Sequence, residues 1–227
     1  MDRVPEPELM DDPAQALAYA GADFAEPHGR FVELVFERLP GLPARGRALD
    51  LGCGPGDIAL RFLRARPGWN VDAIDGSRAM LDLARSAATS AGLADRVRFV
   101  EGVLPGAVPP SIAYELVLSN SLLHHLHEPD VLWQTARRWS RPGTRLFVMD
   151  LIRPESPDAA TGLIDRYAAG EPAVLRRDFY NSLLAAFTPD EIRNQLERAS
   201  LGHLSVAAVS DRHAIVWGTL PPTVGAA

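Results

Sequence analysis

Residues 48–57 read Ala-Leu-Asp-Leu-Gly-Cys-Gly-Pro-Gly-Asp, which is typical of a buried strand that runs into a glycine-rich turn. A short apolar strand, 47–51, carries one acid, Asp50, and leads into three alternate glycines before a helical pattern begins at Asp57. The glycines are Gly52, Gly54 and Gly56. Glycines at a strand-to-helix turn allow positive φ and let a ligand lie almost against the main chain. The sequence therefore predicts a binding turn for a ligand with polar groups.

The alternation of strands and helices continues on both sides of this turn. Further apolar strands are predicted at 70–74, 97–100, 114–119 and 145–152, with helical patterns between them. This order predicts an α/β fold, a Rossmann-like doubly wound and mostly parallel sheet. Two alternating segments, 204–209 and 213–220, flank a turn at 210–212 and predict an antiparallel hairpin at one sheet edge.

We expect a single domain, 13–220, between two tails. Its predicted parts are an N-terminal helical cap (13–39), the core (45–152), a helical lid insertion (154–187), and a helix with the edge hairpin (188–220). Residues 1–12, rich in acids and proline, are expected to be disordered, and 221–227 to form a tail. Pro27-His28-Gly29 is expected to divide the cap into two helices.

Composition excludes several classes of function. The formal net charge of −6 argues against a nucleic-acid-binding surface. All 23 residues in the Lys+Arg count are arginine, so chemistry at a lysine amine is excluded. Cys53 is the single cysteine, which excludes an intrachain disulfide and a cysteine-based metal cluster. Residues 1–6 lack the apolar core of a signal peptide, and no apolar run in the sequence approaches membrane-spanning length. We therefore expect a soluble cytoplasmic protein without membrane or nucleic-acid partners.

A second acid helps to identify the ligand. Asp75 follows Gly56 by 19 residues and ends the next predicted strand. At that position a carboxylate can accept hydrogen bonds from the two hydroxyls of a ribose, although it could also merely cap the following helix. The Gly-x-Gly-x-Gly spacing departs from the dinucleotide fingerprint, and Asp50 would repel a pyrophosphate. A ligand with an ammonium or sulfonium group suits the loop better.

These motifs resemble those of class I S-adenosylmethionine-dependent methyltransferases. Residues 50–56 are similar to the family's first motif, 75–77 with Met80-Leu81 to its second, and 119–125 to its fourth. Arg141-Pro142-Gly143 resembles the usual entry to its fifth strand. The resemblance covers residues 45–152 and implies a seven-stranded sheet, a terminal hairpin and S-adenosyl-L-methionine as cofactor.

The resemblance also implies roles for individual residues. The glycine loop would hold the amino-acid part of the cofactor, Asp75 the ribose, and Met80 the adenine. The full cofactor-binding set is Asp50, Gly52, Cys53, Gly54, Gly56, Asp75, Gly76, Met80, Gly102, Val103, Ser119 and Asn120. Val103 stands where the family commonly has Asp, so backbone amides and apolar packing are expected to hold the adenine. Cys53 could be a reactive thiol, but a small residue that fits the turn is the simpler interpretation.

The candidate general bases and substrate-binding residues lie outside the glycine loop. His124 and His125 are the candidate general bases, and at most one of them is expected to face the site because consecutive side chains point apart. Candidate substrate-binding residues come from the cap and the lid: Tyr19, Asp23, Phe24, His28, Phe179, Tyr180 and Asn181. Each of the aromatic residues could equally be core between the added helices. No metal site is expected.

The sequence predicts a methyltransferase for a small organic acceptor, with O-methylation slightly favoured over N- or C-methylation. Signatures of DNA amino- and cytosine C5-methyltransferases are absent from the sequence. Two alternatives stay open: a non-catalytic cofactor-binding module that serves a partner protein, and a nicotinamide-dependent oxidoreductase. The sequence leaves a homodimer open as well.

Overall fold

The computed structural model describes residues 1–7, 9 and 12–221. A seven-stranded sheet forms its centre, with strands β1 (Gly46–Leu51), β2 (Trp69–Asp75), β3 (Val97–Glu101), β4 (Tyr114–Asn120), β5 (Ser140–Leu151), β6 (Ser205–Ala208) and β7 (His213–Thr219). The α-helices of the described chain are α1 (Pro13–Gly21), α2 (Ala25–Arg38), α3 (Asp57–Ala65), α4 (Arg78–Ser90), α5 (Asp130–Arg138), α6 (Pro157–Tyr167), α7 (Ala173–Ala185) and α8 (Pro189–Arg198). The predicted Rossmann-like fold is confirmed.

The strand order is β3-β2-β1-β4-β5-β7-β6. Strands β1 to β5 pair in parallel, whereas β7 is antiparallel to both β5 and β6. The predicted C-terminal hairpin is therefore confirmed, with β7 as its inner strand. The order reverses between β1 and β4, and ligands of open α/β sheets bind in the crevice at the carboxyl ends of such strands.

Both faces of the sheet are covered by helices. In β4, Leu116 and Leu118 pack with residues of α2 and α3, while Val117 packs with α5 and α8 on the other face. This two-sided burial explains the nearly continuous apolar sequence of β4, which a half-exposed strand would not need.

The cap is divided at a different place from the one predicted. Helix α1 ends at Gly21 and α2 begins at Ala25, so Pro27 lies inside the first turn of α2. Proline is tolerated there because the first N–H groups of a helix have no intrahelical partner. The predicted C-terminal tail lies outside the described residues except for Pro221.

The lid insertion forms a small core of its own. Leu163 and Ile164 of α6 pack with Leu183 of α7 and with Leu151, the last residue of β5. The lid therefore stands at the carboxyl end of β5. No helix in the described part of the chain is long and apolar enough to cross a membrane.

Residues 1–7, here called the N-terminal strap, lie against the lid. The Arg3 guanidinium donates hydrogen bonds to the carbonyl oxygens of Ala185 (2.5 Å), His124 (2.9 Å) and Leu126 (3.0 Å). The Val4 N–H donates to the Leu184 carbonyl at 3.0 Å. Residues 1–12 were expected to be disordered, whereas residues 1–7 make defined contacts. The expectation missed these contacts because the partners of the strap are more than 100 residues away in sequence.

Candidate functional site

A cavity of about 810 Å³ lies over the carboxyl ends of β1, β2, β4 and β5. The cap and the lid supply its other walls, as the sequence predicted for a substrate site. Of the predicted residues, the cavity brings together Asp50, Gly52, Cys53, Gly54, Asp75, Gly76, Met80, Gly102, Val103, Asn120, His124, His125, Tyr19, Asp23, Phe24, His28, Phe179 and Asn181. Its size suits a nucleoside cofactor together with a small acceptor.

The glycine loop connects β1 to α3 through left-handed backbone. Gly52, Gly54 and Gly56 have φ values of +71°, +51° and +83°. A Cβ on Gly52 would approach a Leu122 methyl carbon to 2.8 Å, whereas a Cβ on Gly54 would meet no described atom within 4 Å. Gly52 is therefore required by close packing, and Gly54 presents bare main chain to the cavity.

Asp50 is a buried acid at the start of this loop. Its side chain is 1% exposed, and its Oδ2 has no hydrogen-bond partner among the described residues. Burial, and then the charge of Asp75, raise the pKa of Asp50 to about 7. A buried acceptor of this kind fits the ammonium group expected on the cofactor, because a cation would restore the ionised carboxylate.

Asp75 links the loop to the end of β2. Its Oδ2 accepts the Gly54 N–H at 2.7 Å and its Oδ1 accepts the Ser77 N–H at 2.8 Å. Ser77 in turn caps α4, so the capping interpretation is part of the structure. Each carboxylate oxygen has a second lone pair, and Asp75 also lines the cavity. Asp75 can therefore hold the turn before α4 and also face a ribose in the cavity.

An apolar patch lies beside Asp75 where the family resemblance places the adenine. Val103 is 49% exposed and lies close to Gly76, whose Cβ position would be 3.2 Å from a Val103 methyl. Leu9, from the segment before α1, lies on the other side of that position at 2.5 Å. Met80 is buried at the cavity wall. The patch fits the apolar adenine packing expected from Val103.

Three predicted residues do not line the cavity. The Ser119 hydroxyl is fully buried and donates to the Leu51 carbonyl at 2.9 Å. Gly56 instead allows close packing of α3, since its Cβ would lie 3.1 Å from Ala84 and 3.3 Å from Phe99. Tyr180 packs against the core of the lid. Their contribution to the site is structural.

Cys53 does not have the environment of a reactive thiol. It is 7% exposed, and burial followed by the charges of Asp75 and Asp50 raises its pKa well above the ordinary range. The thiol therefore stays protonated, which favours the simpler interpretation of a small residue that fits the turn.

His124 forms a buried acid–base pair with Asp150, the penultimate residue of β5. Its Nδ1 lies 2.5 Å from Asp150 Oδ1, and both side chains are 3% exposed. The Asp150 carboxylate also accepts the N–H groups of Leu123 and Leu151, each at 2.7 Å. These bonds keep Asp150 ionised, so Nδ1 of His124 is the donor and Nε2 is left as the basic atom. Burial opposes protonation, but the charge and hydrogen bond of Asp150 outweigh it and raise the pKa of His124.

His125 has the opposite character. Burial first, and then the neighbouring His124, lower its pKa to about 3. Its Nδ1 is buried without a hydrogen-bond partner in the described chain. An imidazole with so low a pKa is a poor proton acceptor. Both histidines nevertheless line the cavity, with ring centroids 4.2 Å apart, whereas at most one was expected to face it.

The strap brings one further acid to these histidines. Glu6 Oε1 lies 3.5 Å from His124 Nε2 and 3.3 Å from His125 Nδ1, and it accepts the Ser182 hydroxyl at 2.9 Å. The ligand atoms of Glu6, His124 and His125 lie within 4.8 Å of one another, a spacing that a metal ion could bridge. The short Asp150–His124 bond and the Ser182–Glu6 bond favour a hydrogen-bonded acid–base network instead.

The cap supplies an aromatic wall. The rings of Tyr19 and Phe24 have centroids 4.8 Å apart, and those of Phe24 and His28 lie 5.1 Å apart. His28 Nδ1 lies 2.7 Å from Asp57 Oδ2, which fixes the imidazole, and Asp23 accepts the Ala25 N–H at 2.9 Å. Burial, and then the charge of Asp75, raise the pKa of Tyr19 to about 12, so its phenol stays neutral.

Several cavity residues were not predicted from the sequence. Glu6, Leu9, Asp150, Arg212 and His213 contribute to the site or line the cavity. Asp150 could have been found as the acid that ends the strand after the His-His pair. Long-range packing of the strap, of the segment before α1 and of the hairpin turn brings in the other four, and local sequence carries no signal for such packing.

Comparison with known proteins agrees with this geometry. The family model "Methyltransferase domain" matches residues 48–143. The C-methyltransferase UbiE of Paracoccus denitrificans is 34% identical in sequence, over 63% of this chain and 60% of the UbiE chain. The 27-O-demethylrifamycin SV methyltransferase of Amycolatopsis mediterranei is 29% identical, over 80% of this chain and 64% of that enzyme. A solved SAM-dependent methyltransferase from Aquifex aeolicus shares the fold, with a TM-score of 0.67 at 20% identity over 92% of this chain and 99% of that chain.

The chain spans about half the length of the curated relatives it matches. The matched region nevertheless contains the glycine loop, Asp75 and His124. The buried acceptor of Asp50 and the bare main chain at Gly54 fit the cofactor that these proteins use. Residues 48–143 thus match a methyltransferase domain, and the chain shares the fold of a solved SAM-dependent methyltransferase.

Proposed function

We propose that this protein transfers a methyl group to an oxygen atom of a small organic acceptor, with His124 as the general base. The main support for this proposal is the buried Asp150–His124 pair, because His124 lines the same cavity as the cofactor loop. When bound, S-adenosyl-L-methionine supplies a methyl group on a sulfonium, and the C–S electron pair leaves with sulfur. The protein's residues align the acceptor and accept its proton.

Each residue has a defined task in this reaction. Asp50 and the loop hold the amino-acid part of the cofactor, and Asp75 holds the ribose. The buried Oδ1 of Asn120 has no partner among the described residues, and it accepts a hydrogen bond from a donor near the methionine part of the cofactor. His124 Nε2 accepts the acceptor's hydroxyl proton as oxygen bonds to the methyl carbon. Asp150 holds the ring and stabilises the imidazolium that forms. Alignment of the two reactants supplies the larger share of the rate, on the order of 7–11 kcal/mol in favourable cases.

The names of the relatives leave the acceptor atom open, since they include O- and C-methyltransferases. Oxygen is favoured over the nitrogen of a neutral amine because an alcohol or phenol must lose a proton to react, and His124 has a fixed partner for that purpose. A carbon acid would also need a base, so the assay below includes carbon acids. The enclosing aromatic wall and the cavity of about 810 Å³ suit a small acceptor better than a macromolecule.

The test is methyl transfer from labelled S-adenosylmethionine to a panel of alcohols, phenols, amines and carbon acids, with the product atom assigned by NMR. His124→Ala should lower kcat by about 10²–10⁴-fold for the best acceptor while S-adenosylhomocysteine still binds. His203→Ala is the matched control because His203 is exposed, lies 3.0 Å from the Thr219 carbonyl and does not line the cavity. Unchanged kcat in His124→Ala, or exclusive methylation of nitrogen or carbon, would contradict the proposal.

The pH profile gives a second readout. His124 must be neutral to act as a base. Burial and the charge of Arg3 lower its pKa, but the charges of Asp150 and Glu6 and the Asp150 hydrogen bond outweigh them and raise it. The activity should therefore rise with pH through a limb above the usual imidazole range of about 6.5. Asp150→Asn removes the main raising charge, so the limb should move to lower pH while kcat falls. A limb that stays in place would show that another group titrates.

A further inference from the structure

Arg212 is a buried cation in the cavity wall. It immediately precedes β7, and its carbonyl accepts the Ile152 N–H at 2.8 Å, which fixes it beside the end of β5. Its side chain is only 12% exposed. Its guanidinium carbon lies 3.4 Å from the centroid of the Tyr167 ring, a stacked arrangement that holds the planar group in one orientation.

The donors of this guanidinium lack close acceptors. Its carboxylate neighbours in the described chain are Asp211 at 3.6 Å and Glu26 at 3.8 Å, both beyond hydrogen-bond distance. Asp211 is already engaged, since it accepts the Tyr167 hydroxyl at 2.9 Å and pairs with Arg166 at 2.7 Å. The Glu26 side chain is 82% exposed, so its charge is screened by water. A desolvated guanidinium with five donors gains most from an acceptor that enters the cavity.

The position of Arg212 relates it to the reacting groups. In the β5–β7 register Asp150 faces Ala214, and Arg212 precedes Ala214 by two residues. The backbone of Arg212 is therefore displaced by about 7 Å along the strand from the residue that holds His124. Arg212 and His124 also line the same cavity, so one small molecule can contact both of these side chains.

We propose that the methyl acceptor carries a carboxylate group and that Arg212 binds it, while His124 faces the oxygen to be methylated. This inference rests on the proposed function. Planar guanidinium and carboxylate groups match in a two-point contact, which fixes orientation as well as charge. The same cavity is lined by Glu6, Asp23, Asp57 and Asp178, so a singly charged carboxylate is favoured over a phosphate dianion. His213, next to Arg212, is kept neutral by burial and by the Arg212 charge, so it does not add a second cation.

The experiment uses the full chain loaded with S-adenosylhomocysteine and a panel of aromatic and aliphatic hydroxy acids, each paired with its methyl ester. Calorimetry should show at least one acid that binds the wild type more tightly than its ester by about tenfold. Arg212→Gln should remove that preference and leave the affinity for S-adenosylhomocysteine unchanged. The same panel, including one phosphate monoester, is then assayed for methyl transfer, where kcat/KM should follow the same order.

Arg166→Gln is the matched control. Arg166 lies by the same tyrosine and pairs with Asp211, but it is 65% exposed and does not line the cavity. It should keep the acid preference. Arg212→Lys, which keeps the charge without the planar fork, should retain only part of it. The inference is overturned if the wild type binds no acid better than its ester, if it prefers the phosphate monoester, or if Arg212→Gln keeps the preference.

The two proposals fail in different ways. If the protein binds the acids through Arg212 but transfers no methyl group to oxygen, the proposed function is wrong and the anion site stands. If it methylates hydroxyl groups with equal kcat/KM for acids and esters, the proposed function stands and Arg212 only stacks on Tyr167.

Discussion

At the level of single residues, Asp50 lowers the stability of the unliganded protein and raises its affinity for the cofactor. Its carboxyl group is buried, has a pKa of about 7 and lacks a partner for Oδ2 among the described residues. Binding of an ammonium group requires the ionised form. The Kd of S-adenosylhomocysteine should therefore rise about tenfold for each pH unit below about 7, as calorimetry across pH 5.5–8 would measure.

Asp50→Asn provides the control for this prediction. The variant should bind S-adenosylhomocysteine more weakly at pH 8, by about tenfold, with little pH dependence in the same range. Because a carboxyl with a raised folded pKa destabilises the protein as pH rises from the unfolded value to about 7, the unliganded variant should also unfold at a higher temperature at pH 8. A wild-type Kd that does not change across the range would show that another group meets the ammonium.

The candidate site was predictable where local sequence specifies backbone shape. The glycine loop and Asp75 follow from strand-to-helix spacing, and the structure places both at the cavity. The choice between His124 and His125 was not predictable, because it depends on Asp150, 26 residues further along the chain. Tyr180, predicted to bind substrate, packs against the lid core and not at the cavity wall, because periodicity does not tell which face of α7 meets that core.

At the element scale, the N-terminal strap is attached mainly through Arg3. Three hydrogen bonds and a position 4.1 Å above the Phe187 ring connect this side chain to the lid and to the loop after β4. Arg3→Ala should lower the free energy of unfolding by about 1–2 kcal/mol, since part-buried hydrogen bonds to carbonyl groups are lost. Urea unfolding measures this change, and hydrogen exchange should report faster exchange at the Val4 amide.

Arg64→Ala is the matched control for the strap. Arg64 is an exposed arginine on α3, so its removal should change the unfolding free energy by less than about 0.5 kcal/mol. If Val4 exchanges equally fast in Arg3→Ala and the wild type, Arg3 does not hold the strap.

The elements divide into those set by local pattern and those set by distant contacts. The central strands were predicted because burial on both faces requires a continuous apolar run, as in β4. The start of β5 was placed at Arg145, but the strand begins at Ser140 and pairs with Tyr114 across a register shift. Residues 1–12 were expected to be disordered because of their composition, which does not show that Arg3 and Glu6 have partners in the lid and in the loop after β4.

At the scale of the whole molecule, the cavity is built by parts of the chain that are far apart in sequence. The sheet contributes Asp50 and Asp75, the cap Tyr19, the lid Phe179 and the strap Glu6. Several of these groups are acids, and the pKa of Asp50 is raised first by burial and then by repulsion from the charge of Asp75. A bound cofactor would relieve that repulsion and contact more than one wall, so binding and global stability should be coupled.

This coupling gives the last prediction. S-adenosylhomocysteine at about 100 times its Kd should stabilise the protein by about 2.7 kcal/mol and raise Tm by roughly 5–10 °C. Hydrogen exchange should slow in α1 and α7 as well as in the glycine loop, because the ligand connects the cap and the lid to the sheet. Asp75→Ala should abolish the Tm increase, whereas Asp82→Asn, an exposed acid on α4, should keep it. Protection limited to the loop and Asp75, with α1 and α7 unchanged, would mean that the cap and the lid act independently of the cofactor and are coupled only to the acceptor.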